Sequence, residues 1–219
     1  MKLGCFAAIA LAVAGCSSSS TGHGRASLWI TRDRGAHVLL VRQVPAGETA
    51  MEALQRVAKV KTRYGGRFVQ AIDGIEGSLS KRRDWFYFVN GYEADRGAAE
   101  YTLRAGDVEW WDYRSWAKEM RVPVVVGAFP EPFLHGYNGN TRPATVLAPS
   151  REARRRLGSL IGVRAGKNPN VLSVRPGLRT RFEVEGGETP GAPVRFRFVG
   201  DWHQLLRRPF SFRYRYAVP

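Results

Sequence analysis

The chain has 219 residues, 34 Lys/Arg against 19 Asp/Glu, and a net charge of +15. Its two cysteines, Cys5 and Cys16, both stand near the start, so once a targeting segment is set aside, a disulfide framework, a Cys-based metal site and a cysteine nucleophile are excluded. The length suits one large domain or two small ones, and stability has to come from apolar burial.

The chain opens with Lys2, an apolar run from Phe6 to Ala14, then Val13-Ala14-Gly15-Cys16-Ser17 and a polar tract from Ser17 to Gly24. A charged start, a short apolar stretch and small residues before a cut site form an export signal. Small residues before a Cys let a lipoprotein signal peptidase cut at its amino side, and the thiol then carries a diacylglycerol. The stretch resembles a bacterial lipobox, with Val13 in the position where Leu is common. The expectation is a signal peptide over 1–15, lipid attachment at Cys16, and a flexible tether over 16–25. That would hold a folded body at the extracytoplasmic face of the cell membrane. The alternatives are an ordinary signal peptide or a short membrane helix; a span needs about 20 apolar residues, and this run is shorter.

Ala26–Thr31 and His37–Val41 read as a β-hairpin around the turn Asp33-Arg34-Gly35. Thr49-Ala50-Met51-Glu52 has the form of a capping box, and Ala50, Ala53, Leu54, Val57 and Ala58 follow at helical spacing. Lys59, Lys61 and Arg63 are expected near the end of that helix, opposing its dipole, with Gly65-Gly66 as the stop. Arg67–Ile72, Trp85–Val89 and Val108–Tyr113 read as strands. Asp73-Gly74, Asn90-Gly91 and Gly106-Asp107 read as turns. One helix with a mixed sheet predicts a β-grasp-like domain over 26–116.

Ser115–Met120 reads as a link, and the apolar run Val122–Ala128 as a buried strand. Phe129–Arg142 is loop-like. Ser150 is placed to cap a helix whose buried side carries Ala153, Leu157, Leu160 and Ile161. Val171–Val174, Thr180–Val184, Val194–Val199 and Ser211–Ala217 complete a second, small α+β domain over 117–219. In the last of these Phe212, Tyr214 and Tyr216 alternate with Arg213 and Arg215, as on a half-exposed strand. The predicted class is therefore α+β in two modules.

The charge is uneven. Residues 26–116 hold 14 Lys/Arg against 12 Asp/Glu, net +2, whereas residues 117–219 hold 18 against 7, net +11. A basic second module suits anionic lipid or cell-wall polymer at a membrane surface; a bland arginine-rich surface is the alternative. Nucleic acid is not an expected partner of an exported, tethered chain.

The run Trp85-Phe86-Tyr87-Phe88-Val89-Asn90-Gly91-Tyr92, followed by Ala94-Asp95-Arg96-Gly97-Ala98, Tyr101-Thr102-Leu103, Gly106-Asp107 and Trp110, carries a family resemblance. With Pro45–Leu54 upstream it is similar to a bacterial domain family related to the C-terminal domain of transcobalamin and intrinsic factor. The resemblance covers about 26–116. It implies ligand binding, with a corrinoid or another vitamin-like molecule as the candidate ligand. For the large helical domain that holds most of the corrinoid in the animal relatives, no counterpart is expected within these 219 residues.

Catalytic chemistry is sparse. His23, His37, His135 and His203 do not stand at metal-ligand spacing with one another. His135 lies beside Glu131, which is flanked by Pro130 and Pro132, but a single carboxylate does not specify a reaction. No Gly-x-Ser-x-Gly, phosphate-cradling Gly loop or His-Glu-x-x-His occurs, so neither an enzyme nor a cofactor or metal is expected. The candidate ligand-binding residues are the aromatics Trp85, Tyr87, Trp110, Trp111, Tyr113 and Trp116. Alternation puts Trp110 and Trp111 on opposite faces of their strand and Trp85 with Tyr87 on one face. One set is expected to pack under the helix. The other faces out, or toward the second module as part of the core.

Two functions fit. The first is a non-enzymatic binding lipoprotein that captures a corrinoid or vitamin-like molecule between the modules and passes it to a membrane transporter. The second is a structural or interaction lipoprotein that docks its basic half on anionic lipid or cell-wall polymer.

Overall fold

The computed structural model describes residues 24–207 and 209–219. The expected signal peptide, Cys16, His23 and most of the tether lie outside the described residues. The fold is mixed α/β, with three sheets and few helices. No helix among the described residues is long and apolar enough to cross a membrane.

Strands β1 (Arg25–Arg32) and β2 (His37–Pro45) form the antiparallel hairpin read from the sequence. Helix α1 (Ala50–Val57) starts at the capping box: the Thr49 hydroxyl accepts from the Glu52 N–H, and the Glu52 carboxylate accepts from the Thr49 N–H at 2.8 Å. The helix ends sooner than its sequence pattern suggests. Ala58 is extended, and Lys59, Lys61 and Arg63 belong to or border strand β3 (Val60–Arg63). Val57, Val60 and Thr62 are β-branched, which favours a pleated backbone. The segment also finds a ladder partner in β4 (Phe68–Ile72), and the Asp73 carboxylate accepts from the Lys59 N–H at 2.8 Å. Gly65 and Gly66 therefore make a hairpin turn at positive φ, rather than a helix stop.

Strands β5 (Ile75–Glu76), β6 (Arg83–Val89), β7 (Tyr92–Glu93) and β8 (Val108–Ser115) complete the first half. The largest sheet has the order β2-β1-β8-β6-β7, with β1 and β8 parallel at its centre; β3-β4-β5 form a small separate sheet. Asn90 and Gly91 both take positive φ between β6 and β7, as a tight two-residue reversal requires.

In the second half, β9 (Ala144–Leu147) was not anticipated. It is followed by α2 (Arg151–Ile161), β10 (Asn170–Arg175), β11 (Arg181–Gly186), β12 (Val194–Val199) and α3 (His203–Arg207). The four strands form one sheet in the order β11-β12-β10-β9. Ser150 caps α2 through its hydroxyl, and Ala153, Leu157 and Ile161 are buried as expected; Leu160 is half-buried.

Two expected strands are not strands. The run Val122–Ala128 is buried, but Val124 makes only an isolated bridge to Tyr92 and Val126–Ala128 is a 3₁₀ turn. Pro123 has no N–H for a ladder. Successive valines also enter different clusters: Val124 and Val126 join the main core, whereas Val122 and Val125 join a smaller one. The segment Ser211–Ala217 is broken by Tyr214 at φ +61, after a 3₁₀ turn at Pro209–Phe212. Phe212 and Tyr216 are nevertheless buried: the aromatic alternation reported burial and not pairing.

The main core cluster runs from Leu28, Ile30, Leu54 and Trp111 to Leu172, Phe182 and Phe196. The smaller cluster, Trp29, Phe88, Trp110, Val122, Val125 and Tyr216, lies on the other face of β1, β6 and β8. Both clusters draw residues from each half of the chain.

Candidate functional site

The register of β6 on β8 sets Trp85 opposite Tyr113 and Tyr87 opposite Trp111. Their ring centroids lie 5.3 and 4.8 Å apart. Trp110 points to the other face, within 6.0 Å of Trp29 and 5.6 Å of both Phe88 and Tyr216. Five of the six sequence candidates therefore form two packed faces. Trp85, Trp110 and Trp111 are buried; Tyr87, Tyr113 and Trp116 are half-buried. Their polar tips are already engaged. The Trp85 indole donates to the Ile75 carbonyl at 2.9 Å, Trp110 to the Thr31 hydroxyl at 2.8 Å and Trp111 to Glu109 at 2.6 Å. The Tyr87 and Tyr113 hydroxyls donate to the Arg96 and Glu76 carbonyls. Trp116 follows β8 and stands apart from both faces, tied by its N–H to the Arg82 carbonyl.

Buried polar groups gather around the same sheet. Asn90 donates to Asp107 at 2.7 Å and to the Gly136 carbonyl at 2.8 Å, linking the β6–β7 turn to the loop after Phe129. In that loop Glu131, 4% exposed, accepts from the His135 N–H at 2.9 Å and lies 2.5 Å from its ring Nδ1. The carboxylate raises the His135 imidazole above its ordinary value. The ring edge fills the space beside Gly106, where a Cβ would fall 2.2 Å from Nε2. This pair fastens a loop to the Gly106 turn. Among the described residues no group of three or more His, Cys, Asp or Glu could hold a metal ion.

Glu109 is fully buried. One oxygen accepts from Trp111, and the other has no partner. Burial pushes this carboxyl well above the usual carboxylate range. In the unfolded chain it ionises near its ordinary value, about 4.3, whereas burial favours the protonated form in the folded state. Stability therefore falls as pH rises above that value, until the folded group also ionises. Glu109→Gln mimics the protonated side chain and is expected to remove that loss. The variant should melt higher than wild type at pH 8 and match it near pH 4, as read by thermal unfolding across the range.

The open face of the second sheet is of a different kind. Strand alternation sends Phe182, Phe196, Phe198, Leu172 and Val174 into the core and their neighbours outward. The ladder register sorts the outward residues into rows: Glu185, Arg195 and Val171; then Glu183, Arg197 and Ser173; then Arg181, Val199 and Arg175. A concavity of about 410 Å³ lies over this face, lined mainly by Ser173, Arg175, Arg181, Glu183, Arg195 and Arg197. Glu185 accepts from Arg197 at 2.6 Å and lies 3.7 Å from Arg195. Among the described residues Arg175 and Arg181 have no carboxylate within 4.0 Å. None of these arginines was among the sequence candidates. The signal was present: in Val194–Val199, Arg195 and Arg197 alternate with Phe196 and Phe198.

Comparison with known proteins reaches only part of the chain. A family model described as a domain of unknown function (DUF4430) matches residues 47–115. No curated protein matches the sequence. Among solved structures, haptocorrin in complex with Cbi is 15% identical at a TM-score of 0.35, over 41% of this chain and 24% of that one. A Ruminococcus gnavus protein proposed to bind metal is 13% identical at a TM-score of 0.35, over 42% of this chain and 97% of that one. The chain thus spans about a quarter of the length of the haptocorrin it resembles.

Proposed function

We propose that this protein is a lipid-anchored, non-enzymatic binding protein at the extracytoplasmic face of the membrane. It holds its ligand on the open face of the second sheet and delivers it to a membrane transporter. The observation that carries the reading is the concavity there, which gathers four arginines, two of them, Arg175 and Arg181, without a carboxylate within 4.0 Å among the described residues. Support for the anchor comes from Val13–Ser17, with Cys16 as the lipidated residue. In its finer form residues 26–116 are a β-grasp domain of the transcobalamin-related type and the ligand is a corrinoid or vitamin-like molecule. That form draws on the Trp85–Tyr92 motif and the residues that follow it. Titrating the full chain with cobalamin and with cobinamide is expected to change its Trp fluorescence and raise its melting temperature. If both corrinoids leave both readouts unchanged, the corrinoid form is wrong.

A second reading, docking on anionic lipid or cell-wall polymer, is favoured by the net +11 of residues 117–219. Attachment by that route weakens steeply with salt, because exposed charges are screened within about 10 Å at 0.1 M.

A further inference from the structure

We infer that the open face of the second sheet binds the phosphate group of an anionic ligand, with Arg175 and Arg181 as its principal contacts. The inference rests on the reading that the ligand is held on this face, and it names the chemistry of that ligand. Arg181 on β11 and Arg175 on β10 flank Val199 of β12 in one row. Two strand spacings separate their backbones by about 10 Å, so two long, exposed side chains can close on one group from opposite sides. The central strand between them offers only the short Val199 side chain at that row, with Gly177 of the β10–β11 loop packed against one of its methyls. Ser173 adds a hydroxyl in the next row, beside Arg197.

The charges select the ligand. Arg195 and Arg197 share Glu185, whereas Arg175 and Arg181 have no carboxylate within 4.0 Å among the described residues. Four arginines and the two glutamates, Glu183 and Glu185, leave an excess of two positive charges over the concavity. A phosphate monoester carries about −1.5 to −2 at pH 7, whereas a single carboxylate carries one charge. The guanidinium fork meets phosphate oxygens with paired, charge-assisted hydrogen bonds. Glu183, opposite Arg197 in the ladder, repels an anion from the β11 side of the middle row and so directs it toward Arg175 and Ser173.

The test is calorimetric titration of the full chain with pyrophosphate and with succinate at matched ionic strength. Pyrophosphate is expected to bind at least tenfold tighter than succinate. The double variant Arg175→Ala/Arg181→Ala should lose at least tenfold in pyrophosphate affinity with an unchanged melting temperature, since both side chains are exposed. Glu183→Gln should tighten binding. Pyrophosphate affinity equal in wild type and double variant overturns the inference, as does the absence of pyrophosphate binding to wild type. Succinate binding as tight as pyrophosphate, through the same two arginines, overturns the phosphate assignment and leaves the ligand face standing. A ligand found by fluorescence titration that binds equally well to the double variant would instead overturn the ligand face itself. Vesicles separate the sources of phosphate. Sedimentation with phosphatidylglycerol but not phosphatidylcholine vesicles, reversed by pyrophosphate, assigns the group to a lipid headgroup. Pyrophosphate binding without sedimentation assigns it to a free ligand.

Discussion

Arg114→Ala is expected to cost about 3–5 kcal/mol of unfolding free energy, the range seen when one partner of a buried charged pair is removed. The Arg114 side chain is wholly buried, with its guanidinium carbon 3.7 Å from the centre of the Phe86 ring. It donates to the Glu119 carbonyl at 2.8 Å and the Met120 carbonyl at 3.0 Å, and it lies 3.7 Å from the Glu93 carboxylate. That carboxylate in turn accepts from the Val122 N–H at 2.7 Å. One side chain on β8 therefore fixes the end of the link and, through Glu93, Val122 just beyond it. Alanine leaves a cavity, two carbonyls without a donor and a partly buried carboxylate without its counter-charge. Lysine keeps the charge but lacks the planar fork that reaches two carbonyls at once, so Arg114→Lys should fall between wild type and alanine. Urea unfolding checks both. A midpoint for Arg114→Ala that matches wild type would show that the link is held by something else.

Asp112→Ala is expected to cost at least about 3 kcal/mol, because each buried donor left without an acceptor costs about 1–3 kcal/mol. The Asp112 carboxylate accepts four hydrogen bonds: from the Thr31 hydroxyl at 2.6 Å, the Arg34 N–H at 3.1 Å, the Gly35 N–H at 3.2 Å and the Tyr216 hydroxyl at 3.0 Å. It thus joins the β1–β2 turn, the central strand and the C-terminal segment. Burial raises its pKa, and the hydrogen bonds oppose that rise. Asparagine keeps one accepting oxygen and should lose less than alanine. Tyr216→Phe removes a single bond and should cost about 1 kcal/mol. Equal losses for Tyr216→Phe and Asp112→Ala would mean that the hairpin turn does not depend on the carboxylate.

Where a signal is short-range, it was legible. The Thr49–Glu52 capping box, the Asn90-Gly91 reversal and the Ser150 cap each work through hydrogen bonds or dihedral preferences spanning only a few residues. The first hairpin was legible for the same reason, since a turn between two alternating runs sets its own register. Failures cluster where the same pattern serves two structures. Val57–Arg63 reads as the end of a helix until β4 offers a ladder. Val122–Ala128 and Ser211–Ala217 announce burial through their apolar and aromatic residues, but a strand also needs a neighbour with unpaired backbone groups. For these segments the fold supplies, among the described residues, no more than the isolated bridge of Val124 to Tyr92.

The sequence by itself determined the local caps and turns, and which side chains leave water. It also determined the opposite faces of Trp110 and Trp111, because alternation along a strand is intrinsic to the pleat. Only the tertiary structure decided what lies against each face. The parallel pairing of β1 with β8 and of β10 with β9 and β12 joins segments far apart in the chain, and no local preference encodes such a choice. That pairing turned the aromatic strands inward and aligned Arg175, Arg181, Arg195 and Arg197 on one open surface. The position of the candidate site is therefore a product of strand register, which is set by long-range burial of the phenylalanines on the opposite face.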